Sequence, residues 1–210
     1  MKAVKGVVFD LDGVLVDSEG IWADAEAATV AELGGEYTRQ ISAALYGRGH
    51  RDGARILAGL FGGDADEIAD TLLGHALAGF RNGLEPLPGA RDLVARLRGR
   101  VPIAVASNSA RVIVETALAS AGFAGFDAVV TGEDVSAAKP APDAYLEACV
   151  RLGVEPADAV GVEDSPVGIA SAKAAGLYVI GVPSIREQNL EQADLVVDSL
   201  EQVLQGVPAA

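Results

Sequence analysis

The chain has 210 residues, a formal net charge of −14, and a composition that is 50% hydrophobic but only 5% aromatic. The acidity argues against nucleic acid and anionic membrane surfaces as partners, since both carry the same sign of charge. No run approaches the ~20 apolar residues of a spanning helix. Cys149 is the only cysteine, so no intrachain disulfide is possible and a reducing, cytoplasmic setting is expected. This length suits one moderate domain, or a core with a smaller insert, and its core must be built from Ala, Val, Leu and Ile.

The first predicted element is a strand over 4–9, a short Val-rich run that stops at Asp10-Leu11-Asp12-Gly13. Because the apolar stretch runs straight into Asp10, it reads as a strand and not as a secretion signal. Residues 18–81 differ in character. Ile21, Ala25, Ala28 and Leu33, then Ile56, Leu57, Leu60 and Phe61, then Ile68, Leu72, Leu73 and Leu77 recur at helical spacing. Gly34-Gly35, the segment 47–53 and Gly62-Gly63 punctuate the stretch, which predicts three or four helices and no strands. Residues 82–89 are rich in Gly and Pro and read as a hinge.

The chain then alternates. Helices are predicted over 90–97, 110–121, 142–152 and 167–174, and strands over 102–106, 128–130, 159–162, 178–181 and 195–197. This pattern predicts an α/β fold, a Rossmann-like doubly wound parallel sheet, with a helical segment inserted after the first strand. The expected division is a core from 1–16 and 84–210 and an insert from 17–83. Ligands of such sheets sit outside the carboxyl ends of the strands.

Those ends carry the chemistry. The first strand ends in Asp10 and Asp12, the second in Ser107-Asn108-Ser109, and the fourth in Glu163-Asp164-Ser165, while Lys139-Pro140 follows the third. Two like charges ~4 Å apart cost ~4 kcal/mol at an effective dielectric of 20, so the carboxylates require a cation or raised pKa values. Oxygen ligands without a Cys or His cluster favour Mg²⁺ completed by water and a phosphate. A carboxylate can attack phosphorus, and a second carboxyl can move protons for the leaving group and for water. Ser107 can donate to a phosphoryl oxygen, and Lys139 can neutralise its charge. Each feature also has a plain reading. Asp10 and Asp12 could form an Asx-type turn, Ser107, Asn108 or Ser109 could cap the next helix, Glu163-Asp164 could cap another, and Lys139 could lie on the surface.

Taken together, Asp10-Leu11-Asp12-Gly13-Val14, Ser107, Lys139-Pro140 and Glu163-Asp164 occur in the order of the haloacid dehalogenase superfamily. The chain resembles its phosphohydrolases with a helical cap after the first strand, and the likeness covers nearly the whole length. Val14-Leu15-Val16-Asp17-Ser18-Glu19 and Glu163-Asp164-Ser165-Pro166-Val167-Gly168 resemble the phosphatase and beta-phosphoglucomutase group. The resemblance implies Asp10 as nucleophile and metal ligand, and Asp12 as general acid/base with its backbone carbonyl on Mg²⁺. It implies Ser107 and Lys139 as holders of the phosphoryl group, Asp164 as metal ligand, and Glu163 as a ligand directly or through water. Asn108 is a further candidate for substrate contact.

Related caps place a glycine-containing loop with a basic residue over the site. Here that segment carries Arg48, His50 and Arg51, one of which is expected to meet the substrate. His75 is expected on a cap helix face without a catalytic role, and Cys149 in the core among Leu146 and Val150. Mutases of the group carry a histidine where this chain has Trp22, and a lysine where it has Ala110, followed by Arg111. Trp cannot titrate as His does. The expectation is hydrolysis of a small phosphomonoester by a monomer or weak homodimer. A phosphosugar mutase and a non-catalytic phospho-ligand binding protein are the alternatives.

Overall fold

In the computed structural model, which describes residues 4–184 and 189–205, every residue of Gly6–Phe9 is buried. That is what a short apolar run without alternation requires at the centre of a parallel sheet. This strand, β1, pairs on one side with β2 (Ile103–Ala106), which pairs with β3 (Ala128–Val130). On its other side lie β4 (Ala159–Glu163), β5 (Tyr178–Gly181) and β6 (Leu195–Val196). All pairings are parallel and the order is β3-β2-β1-β4-β5-β6. The chain winds outward from β1 to β3, then crosses back to β4. The strand order therefore reverses at β1, and the crevice at its carboxyl end is the ligand position of such folds.

Between β1 and β2 come α1 (Glu19–Glu32), α2 (Arg39–Leu45), α3 (His50–Phe61), α4 (Ala65–Arg81) and α5 (Ala90–Leu97). The later helices are α6 (Arg111–Ser120), α7 (Asp143–Leu152), α8 (Pro166–Ala175) and α9 (Leu200–Gln205). Successive residues of a strand face opposite layers. Val7, Phe9, Ile103 and Val105 accordingly pack with Leu93 of α5 and Ile113 of α6. Val8, Ala104 and Ala106 pack with Tyr145, Ala148 and Cys149 of α7 and Ile169 of α8. Helices thus cover both faces.

Helices α1 to α4 have a small core of their own, with Val30, Leu45, Ala54, Leu57 and Ile68. Ala25 of α1 and Leu72, Ala76 and Phe80 of α4 belong instead to the same apolar cluster as Val14, Leu15 and Ile113. The two chain passages between sheet and insert also bond to each other. The Asp17 N–H donates to the Glu85 carbonyl at 3.1 Å and the Leu87 N–H to the Leu15 carbonyl at 3.0 Å.

Several expectations shift by local packing. Gly53 does not end the 47–53 loop but lies buried inside α3, facing Leu45 and Leu72. Leu146 and Val150 are exposed, because α7 buries the stripe Ala144, Tyr145, Ala148 and Cys149. Cys149 is in the core, and burial pushes its thiol up to about 11. The helix α9 has no counterpart among the expectations, since it is only six residues long; Leu200 anchors its start in the core. Among the described residues no helix is long and apolar enough to cross a membrane.

Candidate active site

Asp10 follows directly on β1, and its backbone N–H still donates to Val162 of the neighbouring strand at 2.9 Å. The chain then turns sharply at Gly13, whose φ of 72° lies in the left-handed region. A Cβ there would stand 2.1 Å from Oδ2 of Asp164, so glycine is needed for both conformation and space. The turn brings Asp12 back beside the start of α1. Asp12 Oδ1 accepts from the Ser18 hydroxyl at 2.5 Å and from Trp22 Nε1 at 3.0 Å, and Oδ2 accepts from the Ser109 hydroxyl at 3.2 Å.

Lys139 is buried between two carboxylates. Its Nζ donates to Asp10 Oδ1 at 2.6 Å, to Glu163 Oε1 at 2.6 Å and to the Ala106 carbonyl at 2.9 Å. Burial alone would push the ammonium down, but Asp10 and Glu163 outweigh it and raise its pKa. Glu163, the last residue of β4, also accepts from the Tyr145 hydroxyl at 2.6 Å and from Ser165 at 3.3 Å. Its carboxylate fills the space where a Cβ on Gly168 would sit. Glu163 therefore positions Lys139. The helix that follows is capped by the Ser165 hydroxyl, which accepts from the Gly168 N–H at 3.1 Å, and not by Glu163 or Asp164.

Asp164 turns the other way. Its Oδ2 accepts from Ser184 at 2.7 Å and from Tyr46 at 3.2 Å. Burial and then Glu163 push its carboxyl up to about 7. Burial likewise raises Asp10 well above the ordinary range, against the pull of Lys139. Oxygens of Asp10, Glu163 and Asp164 all lie within 4.8 Å of one another. With all three carboxyls ionised, one ammonium among them would leave a buried deficit of two positive charges, and the donors are hard oxygens. That chemistry suits a divalent cation of the Mg²⁺ type.

The loop after β2 supplies Ser107, which is buried and accepts from the Ser109 N–H at 3.0 Å, leaving its own hydrogen free to donate. Asn108 caps no helix: the residue before α6 is Ala110, with no side-chain bond. The Asn108 side chain accepts from the Lys139 N–H at 2.8 Å and donates to the Gly47 carbonyl at 3.4 Å. It holds the Lys139 backbone and ties it to the insert. A Cβ on Gly49 would come within 2.8 Å of the Asn108 carbonyl, so the insert approaches closely at that point.

These groups open into a cavity of about 380 Å³, lined by Asp10, Asp12, Ser107, Asn108, Lys139 and Asp164 on the sheet side. Of the three basic candidates in the insert, Arg48 and His50 line it and Arg51 does not. Arg51 lies on the first turn of α3, rotated about 100° from buried His50, and points out toward Asp66 at 3.5 Å. His75 pairs with Glu32 at 2.8 Å, outside the cavity lining. Glu19, Trp22, Glu26, Tyr37 and Tyr46 also face the cavity and were not among the candidates. Glu19 adjoins the quoted Asp17-Ser18 string and Tyr46 the glycine loop, but nothing local marks Tyr37 or Ser184.

The sequence model of haloacid dehalogenase-like hydrolases matches residues 4–176. The chain belongs to that family. Among its relatives, hexitol phosphatase A of Escherichia coli strain K12 is 35% identical over 203 residues, covering 95% of this chain and 93% of the relative. Validoxylamine A 7'-phosphate phosphatase of Streptomyces hygroscopicus subsp. limoneus is 32% identical, covering 95% of each. Among solved structures, CbbY of Rhodobacter sphaeroides in complex with phosphate superimposes with a TM-score of 0.87 at 29% identity, over 97% of this chain and 99% of that one. In this haloacid dehalogenase-like enzyme the sheet end, the turn at Gly13 and the helical insert are thus parts of one hydrolase architecture.

Proposed function

We propose that this haloacid dehalogenase-like enzyme is an Mg²⁺-dependent phosphatase that cleaves a small phosphomonoester, a sugar phosphate or similar metabolite, through an aspartyl-phosphate on Asp10. One observation carries the reading. The Asp10 carboxylate lines the cavity, bonded to Lys139 at 2.6 Å, while Asp12 stands two residues on with its own separate set of donors. The chain is a phosphoric monoester hydrolase, in keeping with its phosphatase relatives. We assign residues 17–83 to a cap, and 1–16 with 84–210 to the catalytic core. The enzyme works in the cytoplasm on a small phosphorylated metabolite, as a monomer or weak homodimer.

In the first step an Asp10 oxygen forms a bond to phosphorus as the ester P–O bond breaks. Lys139 and the Ser107 hydroxyl hold phosphoryl oxygens, and protonated Asp12 gives its proton to the departing alkoxide. In the second step Asp12 takes a proton from water, the water oxygen bonds to phosphorus, and the Asp10–phosphorus bond breaks. Ser109 suits this exchange, because its hydroxyl can donate to Asp12 or accept from it. Asp10, Asp164 and the Asp12 carbonyl would hold Mg²⁺, with Glu163 acting directly or through water. The ion supplies positive charge to the phosphoryl oxygens.

Trp22 favours hydrolysis over the mutase reading. Its indole N–H can only donate, to Asp12, and cannot take up a proton to gate the second step. A phosphate-release panel of phosphomonoesters tests the proposal. It includes beta-glucose 1-phosphate with its bisphosphate activator. Release is expected with Mg²⁺, none in EDTA, and a drop of roughly 10⁴-fold or more in Asp10→Asn. Glucose 6-phosphate formed without net phosphate release would assign a mutase, and release that survives Asp10→Asn would remove the nucleophile.

A further inference from the structure

With the phosphoryl group at Asp10 and Lys139, the part of the cavity wall that the insert supplies must receive the alcohol part of the ester. That wall is built by the face of α1 carrying Glu19, Trp22, Ala23 and Glu26, whose spacing of three, four and seven aligns them along the helix. It is completed by Ser42, Tyr46 and His50. Two buried side-chain atoms among the described residues have no hydrogen-bond partner: Glu19 Oε1 and His50 Nδ1. Both residues line this cavity. His50 is only 8% exposed, so water does not readily satisfy it. Orphaned polar atoms of this kind, together in one cavity, call for a ligand that supplies their partners.

The charges on the wall limit that ligand. Burial raises the Glu26 pKa, and the Tyr37 hydroxyl that donates to it works against that rise and keeps it an acceptor. Burial and Arg51 lower the His50 pKa, which favours its uncharged form. Arg51 itself faces outward, and exposed Arg48 spends its Nε on the Ala44 carbonyl at 2.9 Å. Two carboxylates therefore stand on the wall against one exposed arginine. Trp22, Leu45 and Leu72 supply the apolar surface between them.

We propose, resting on the phosphatase reading above, that Glu19 and His50 are specificity-determining residues that hydrogen-bond hydroxyl groups of a polyhydroxylated alcohol, and that Glu19 with Glu26 turns away a second anionic group at its far end. A hydroxyl donates to Glu19 and can either donate to or accept from His50, whichever tautomer is present. A distal phosphate dianion has no hydrogen to give Glu19 Oε1, and it would meet like charge.

The test compares kcat/KM for the best polyol or sugar monophosphate of the panel with its counterpart phosphorylated at both ends, such as fructose 1-phosphate and fructose 1,6-bisphosphate. The wild type is expected to prefer the monophosphate by about tenfold or more. Glu19→Gln keeps an acceptor but removes the charge, and Glu26→Gln does the same further along the wall. Each is expected to shrink the ratio severalfold, mainly through a lower KM for the bisphosphate. Equal turnover of both esters by the wild type, or a ratio unmoved in both variants, would overturn the inference while leaving the phosphatase reading intact. A panel in which no phosphomonoester is hydrolysed would overturn that reading, and this inference with it.

Discussion

Asp164 and Asp10 are carboxylates that burial makes hard to ionise, and the neighbouring Glu163 adds to the effect. With its folded-state pKa at about 7, Asp164 lies above the free value of about 4, so the metal-free folded protein binds the extra proton. Stability from this group is complete below about pH 4 and is lost as pH rises toward about 7. Mg²⁺ needs the ionised form, so its apparent affinity should fall as pH drops below about 7. Thermal melts at pH 5 to 8, in EDTA and in Mg²⁺, check both statements. The stabilisation by Mg²⁺ should grow with pH, and a pH-independent gap would exclude Asp164 as a ligand. Trp22 offers a second test at this scale. Trp22→Phe keeps the ring packing on Phe80 but removes the donor to Asp12 Oδ1. Loss of one hydrogen bond to a carboxylate should cost about 1.5–3 kcal/mol of stability. The kcat should fall by roughly tenfold, since among the described residues Asp12 keeps Ser18 and Ser109 to orient it. Unchanged kcat would show that Ser18 and Ser109 suffice.

At the scale of elements, the turn after β1 matters most, because it sets Asp12 back against α1 and Gly13 beside Asp164. Gly13→Ala would place a methyl 2.1 Å from Asp164 Oδ2 in a left-handed backbone. The expected outcome is a stability loss of about 1–3 kcal/mol together with a weaker half-saturation by Mg²⁺, read by denaturant melts and metal titration. A stability loss without any change in metal dependence would show that Asp164 simply moves aside. The motifs at the ends of β1, β2 and β4 were legible because short apolar runs stop abruptly at charged or hydroxyl residues, and a parallel sheet gathers those ends in one crevice. Arg51 shows the limit. A basic residue in a loop motif gains its direction from where the helix begins, and α3 begins at His50, one residue earlier. Tyr46 reaches Asp164 across 118 positions, a pairing that no local pattern encodes.

At the scale of the molecule, α1 and α4 of the insert share one apolar cluster with β1, β2 and α6, and the two chain passages hydrogen-bond to each other. The insert and the sheet should therefore unfold together. Calorimetric and van't Hoff enthalpies that agree would bear this out, and two resolved transitions would contradict it. The net charge of −14 acts on the same scale. It repels an anionic ester, so kcat/KM should rise by about twofold or more when ionic strength increases from about 20 to 150 mM. The sequence by itself determined the sheet order's raw material, the strand-end carboxylates, Ser107 and Lys139, and through them the reaction class. These follow from local patterns: apolar runs, their abrupt ends, and the types of residue found there. Only the tertiary structure decided that Glu163 and Asn108 hold Lys139, that Trp22 serves Asp12, and that Glu19, Glu26 and His50 line the same cavity. Those relations depend on crossing helices and long-range contacts, where distance along the chain carries no information about distance in space.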